Sequence, residues 1–148
     1  MTLSVDTSDA IAQATGERLR ANDRSGASLG LELLEVRPGF ARVAMRVRPE
    51  MLNGHGILHG GLVFALADTA LAYAANSRNQ QTVTQQASIV FLSPAKESET
   101  LIARAVERAS ASRSGIYDVD VLSTDGRVVA VLQGLTRATG QPVIPGLT

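Results

Sequence analysis

The chain has no cysteine. That excludes disulfides, thiolate nucleophiles and Cys-zinc sites, and it fits a reducing compartment, so a cytoplasmic location is expected. Neither sign of charge is in excess: 14 Lys and Arg stand against 14 Asp and Glu. No basic field points to nucleic acid, and no acidic tail is present to solvate a disordered segment. The N-terminal stretch lacks a basic region followed by an apolar one, so a secretory signal is not expected. The longest apolar run starts at Gly60 and lasts about 16 residues, short of the ~20 a membrane span needs. It is rich in alanine and has an acid in its middle, so a buried helix is expected and a membrane partner is not. There are only 2 histidines. His55 and His59 are separated by a glycine-rich segment with no evident third ligand, which argues against zinc. Neither a Walker-type glycine loop nor a Gly-x-Ser-x-Gly elbow occurs. No metal and no cofactor are expected.

What is present reads as one domain over all 148 residues, 45% apolar and 19% charged, with a core over residues 28–138. Ser8 or Asp9 can cap a first helix over Ala10 to Asn22, which Gly26 and Gly30 end. Leu31 to Val36 reads as a strand and Pro38-Gly39 as a type II turn. From Phe40 to Arg48 the pattern alternates: Ala41, Val43, Met45 and Val47 share one face, the polar residues the other. After the apolar run, strands are expected over Thr82 to Leu92, Thr100 to Ser110, Gly115 to Ser123 and Arg127 to Thr136, the last two joined by an Asp125-Gly126 hairpin turn. Residues 139–148 hold two prolines and no periodicity and are expected to be a loose tail. The order is helix, two strands, long helix, four strands. That is an α+β chain in which a mostly antiparallel sheet must wrap one apolar helix, and a second copy of the chain is the simplest cover for its other side.

Everything turns on Met51 to Asn76. A loop, Asn53-Gly54-His55-Gly56-Ile57-Leu58-His59-Gly60, runs into the apolar helix, whose one charged residue is Asp68. A carboxylate inside such a helix is costly unless it is paired or used. No basic residue lies at i±3 or i±4 to pair it, and the flanks show no helix start that it could cap. His59 reads as a cap or loop residue as readily as a site residue. Gly60-Gly61 reads either as a flexible helix entry or as free N–H groups able to hold an anion or a polarised carbonyl. Asn53 reads as a turn residue or as an amide that places water or substrate.

The pattern Asn53-Gly54-His55-x-x-x-His59-Gly60-Gly61-x-x-Phe64-x-Leu66-Ala67-Asp68-Thr69-Ala70 resembles the signature of hotdog-fold acyl-CoA thioesterases. The continuation Ala72-Tyr73-Ala74-x-Asn76-Ser77 is similar to the PaaI-type branch, named for phenylacetate degradation. Further likeness lies in Phe91-Leu92-Ser93-Pro94 and Arg113-Ser114-Gly115-Ile116-Tyr117-Asp118. The resemblance implies an antiparallel sheet around one long helix, paired into dimers and usually tetramers. It implies that Asp68 attacks the thioester or activates water, that the Gly60 N–H polarises the thioester oxygen, and that His59 and Asn53 support the site. It points to a hydroxyl at Thr84, followed here by Gln85 and Gln86. For the phosphates of a coenzyme A substrate it points to Arg113, with Lys96 and Arg137 as weaker candidates. The acyl pocket is expected near Gly61, Leu58, Leu62, Phe64 and Phe91. The substrate it implies is an aryl-acyl thioester such as phenylacetyl-CoA or a ring-hydroxylated relative.

Helix geometry adds a constraint of its own. Gly60 and Asp68 are eight residues apart, ~12 Å of rise on one helix, whereas a reacting carbonyl must lie ~3 Å from both. Two helices packed antiparallel about a two-fold axis would bring the Asp68 of one chain to the Gly60 of the other, giving a homodimer with shared sites. Two other functions are compatible with the motif. A hydratase or dehydratase of acyl thioesters usually places its acid before its histidine, whereas Asp68 follows His59. A non-catalytic acyl-CoA sensor of transcription would need a DNA-binding domain, for which the chain has no room.

Overall fold

The computed structural model describes residues 6–148. Its elements are α1 (Thr7–Asn22), α2 (Arg24–Leu29), β1 (Glu32–Arg37), β2 (Phe40–Arg46), a short 3-10 turn (Pro49–Met51), α3 (Gly60–Asn76), β3 (Thr82–Phe91), β4 (Thr100–Ala111), β5 (Ser114–Ser123) and β6 (Val128–Ala138). The six strands form one sheet in the order β1-β2-β4-β5-β6-β3, with every pair antiparallel. The expected α+β architecture, a sheet wrapped around one long helix with an added N-terminal helix, is the one observed.

The inward strand residues follow the period-2 pattern. Ala41, Val43 and Met45 of β2, Leu101, Ala103 and Ala105 of β4, and Val119 and Val121 of β5 are fully buried. They meet Leu66, Ala67, Ala70, Leu71 and Ala74 of α3. Small residues let helix and sheet approach closely. A methyl group placed on Gly134 of β6 would sit 2.3 Å from Leu71 Cδ1, so glycine is what lets β6 pass beneath α3.

Three expectations need correction. The first helix is capped by Asp6, whose carboxylate accepts from the Ser8 N–H, rather than by Ser8 or Asp9. The glycines after it do not simply break the chain. Asp23 caps a second short helix by accepting from Gly26 N–H, and Gly30 then ends it at φ 68°. The tail has no regular element, yet it is docked. Asn79 Nδ2 donates to the carbonyls of Ile144 and Leu147, and Asn79 Oδ1 accepts from Ile144 N–H. Gln81 N–H donates to Gln141 O and Thr139 N–H to Gln81 O, so these tail groups are tied to the body of the protein.

Candidate active site

Asp68 lies in the middle of α3, half-buried. One partner holds it: the Thr84 hydroxyl donates to Asp68 Oδ1 at 2.7 Å. Thr84 reaches it from the edge strand β3, where the register with β6 shifts between Thr84 and Gln86. Such a bulge leaves one residue unpaired and re-aims its neighbours. Gln85 is the unpaired residue, and Thr84 is free to face the helix.

The helix N-terminus is built by the loop before it. Leu52 and Leu58 form an isolated bridge. Asn53 N–H donates to Ile57 O, and Asn53 Oδ1 accepts from His55 N–H at 2.9 Å. Asn53 is therefore the clasp of this loop. Leu58 N–H to Ala95 O and His59 N–H to Met51 O fasten the loop to the chain on either side. His59 is the N-cap of α3: its Nδ1 accepts from Gly61 N–H at 2.8 Å. The expectation that Gly60 and Gly61 both leave free N–H groups is thus half right. The Gly61 donor is taken by His59. Leu62 and Val63 donate to His59 O, and among the described residues the Gly60 N–H has no acceptor. It points from the positive end of a 17-residue helix. The ring of Phe91 lies over Gly60, so close that a side chain there would approach it to 3.0 Å.

Within one chain these two centres stay apart. Asp68 opens on a cleft of about 410 Å³ walled by Thr69, Ala72, Tyr73 and Val83 and, across from them, by Leu19, Asn22, Asp23 and Ser25 of the α1–α2 elbow. Gly60 opens on another, of about 450 Å³, with Asn53, Leu58, Val63, Phe91 and Pro94. The sequence-predicted acyl residues divide accordingly. Leu58 and Phe91 line the Gly60 cleft, while Leu62 and Phe64 pack against the core and line neither cleft. The three cations are not brought together. Arg113, on the β4–β5 turn, lines a polar cleft with Arg78, Gln80, Glu107 and Tyr117 near the C-terminal end of α3. Arg137 is exposed on neighbouring β6, and Lys96 is exposed at the opposite end, next to the residue that holds Leu58. No reading of the sequence gave the α1–α2 elbow as a cleft wall, because nothing local marks residues that approach Asp68 from some 45 positions upstream.

Residues 55–130 match the thioesterase superfamily. The acyl-coenzyme A thioesterase PaaI of Escherichia coli is 39% identical over 119 residues, covering 80% of this chain and 85% of that protein. The structure of the E. coli PaaI protein from the phenylacetic acid degradation operon superposes with a TM-score of 0.89 at 35% identity, covering 90% of this chain and 97% of that one. A thioesterase-like protein of Streptococcus pneumoniae, solved with coenzyme A, has a TM-score of 0.73 at 28% identity and covers 76% of this chain and 90% of its own. Sheet, wrapped helix and these matches together define a hotdog-fold thioester hydrolase. The chain belongs to the thioesterase superfamily, in its PaaI-type branch.

Proposed function

We propose that the protein hydrolyses aryl-acyl-CoA thioesters, of the phenylacetyl or hydroxyphenylacetyl type, to the free acid and CoA, in the cytoplasm, at sites shared between two chains. The observation that carries this reading is the complementary pair of clefts. One holds the Asp68 carboxylate with its hydroxyl donor, the other a helix N-terminal N–H with no carboxylate. A thioester needs both at once. An oxygen must attack its carbonyl carbon, directly or through an activated water, and a donor must stabilise the oxyanion that forms. Neither metal nor redox group is needed for that chemistry, because the thioester is already an activated acyl group.

In the dimer we envisage, Asp68 of one chain faces Gly60 of the other. Thr84 orients the Asp68 carboxylate so that its second oxygen points at the substrate. His59 occupies the Gly61 N–H, which leaves the Gly60 N–H as the donor that meets the developing charge, aided by the helix dipole. Asn53 holds the loop that presents Gly60. The edge strand β3 supports the pairing. Its outer edge is unpaired among the described residues, and Val83, Val90, Phe91 and Leu92 on and beside it are each more than half exposed. An apolar unpaired edge of this length is stable only when covered. Two such dimers would assemble as a tetramer. Arg113, which lines the polar cleft near the C-terminal end of α3, would bind CoA phosphate, with Lys96 and Arg137 contributing less.

Free thiol release from a panel of aryl- and alkyl-CoA esters tests the function. Release from aryl-acyl esters ahead of alkyl ones is expected. Binding of those esters without release from any would overturn the hydrolase reading for a sensor.

A further inference from the structure

The Gly60 N–H is aimed only as well as the loop that carries it. On one side that loop is fastened by the bond from Leu58 N–H to Ala95 O, at 2.8 Å. Ala95 is buried and lies in the irregular segment between β3 and β4, so no strand fixes the direction of its carbonyl. Two side chains that line neither cleft do so instead. Glu99 Oε2 accepts from Lys96 N–H at 2.6 Å, and Glu99 Oε1 accepts from Arg127 Nη2 at 2.7 Å. The Lys96 N–H and the Ala95 C=O belong to one peptide group, and in a planar trans peptide they point in opposite directions. A carboxylate that draws the N–H to one side therefore turns the C=O to the other, toward Leu58. The same Arg127 nitrogen donates to Pro94 O at 3.3 Å, so the chain is held on both sides of Ala95. The β5–β6 turn aims the arginine in its turn: Asp125 Oδ1 accepts from Arg127 N–H, and Ser123 N–H donates to Arg127 O. Stability does not account for the pair. The two side chains are 38% and 29% exposed, and an ion pair so open to solvent contributes little to folding. Arg127 Nε is moreover enclosed without an acceptor among the described residues, which is a cost. The Lys96 N–H first, and then Arg127, hold the Glu99 carboxyl below its ordinary 4.5, so it is ionised in neutral solution and both of its bonds are charge-assisted.

We infer that Arg127 and Glu99 are positioning residues for the oxyanion donor: they set the Ala95 carbonyl, which sets Leu58 and with it the direction of the Gly60 N–H two residues on. This rests on the thioesterase reading and deepens it. Neither side chain touches the substrate, and both act through the peptide between Ala95 and Lys96. Ser93, Pro94 and Ala95 also wall the Gly60 cleft, so one segment both bounds the site and aims its donor. An oxyanion donor acts on charge that develops only in the transition state, and a small misplacement of it is costly. Loosening the bracket therefore lowers kcat and leaves KM in place.

The test measures thiol release from phenylacetyl-CoA and backbone amide hydrogen exchange in the wild type, Arg127→Met and Glu99→Gln. Methionine keeps an unbranched apolar stem without the guanidinium, and glutamine keeps the shape of Glu99 without its charge. Each variant should lower kcat about tenfold with KM changed by less than about twofold. In each, the Leu58 amide should exchange about tenfold faster while the amides in the middle of β4 and β5 keep their protection. Unchanged turnover, or a loss of turnover with Leu58 exchange unaltered, would overturn the proposal. So would faster exchange throughout the sheet, the mark of a merely structural role. Each of these leaves the thioesterase reading intact, whereas no thiol release by the wild type would overturn both.

Discussion

Asp68 has one side-chain hydrogen-bond partner, the Thr84 hydroxyl, and either group can be replaced with little change of shape. Asp68→Asn keeps the volume and the contact with Thr84 but loses the base or nucleophile. Thiol release should fall ~100-fold or more, with the thermal unfolding midpoint unchanged; near-normal turnover in a folded variant would remove Asp68 from the chemistry. Thr84→Val keeps the β-branched shape on β3 and deletes only the 2.7 Å hydrogen bond. Its kcat should fall about tenfold, the scale of one charge-assisted hydrogen bond, with KM little altered. At this scale the sequence was informative where the chemistry is local. A lone acid on an apolar helix marks itself, and His59 before Gly60-Gly61 marks a helix start. Thr84 was reached only through the family resemblance, because its bond to Asp68 depends on a bulge whose two strands lie about 50 residues apart in the chain.

The elements depend on a few close approaches. Gly134→Ala would drive a methyl group into Leu71, separating β6 from α3. A loss of about 1–3 kcal/mol is expected from overpacking, read as a lower urea midpoint; an unchanged midpoint would show that Leu71 simply rotates away. Glu107 ties three elements together. Its backbone N–H donates to Gly39 O in the β1–β2 turn, and its carboxylate meets Arg78 beyond α3 and Tyr117 on β5. Burial pushes this carboxyl up, but the Arg78 hydrogen bond and charge, with the Tyr117 hydroxyl, outweigh it and hold it below its ordinary 4.5. A lowered carboxyl stabilises the fold at pH above the unfolded value and loses that contribution as the pH falls below it. The wild type should therefore lose stability on acidification below pH 4.5 more steeply than Glu107→Gln, by urea unfolding across that range; parallel curves would deny the group a role. The periodic elements were readable from side-chain spacing, as in Ala41, Val43 and Met45 of β2. The helix α2 was not, since Gly26 looks like a breaker until Asp23 is seen to cap it. The docked tail was not either, since Asn79 holds residues 65 positions away.

At the scale of the molecule, Asp68 and the Gly60 N–H of one chain open on separate clefts, which the proposed reading takes as two half-sites, and β3 leaves an apolar edge of the sheet unpaired among the described residues. Length and charge gave no sign of this; the ~12 Å between Gly60 and Asp68 did. Complementation between differently broken chains measures it most directly. Asp68→Asn breaks one half. Gly60→Pro breaks the other by removing the N–H and by pressing its ring on Phe91, which an added Cβ meets at 3.0 Å, at a first helical position whose backbone accepts proline, after a His59 whose ψ of 131° already suits one. Each variant alone should be nearly inactive. After the two are unfolded and refolded together, half the dimers should be mixed, each with one intact site, so activity should return to about a quarter of the wild-type level. No recovery, with subunit exchange demonstrated by a mass or fluorescence label, would contradict the shared site.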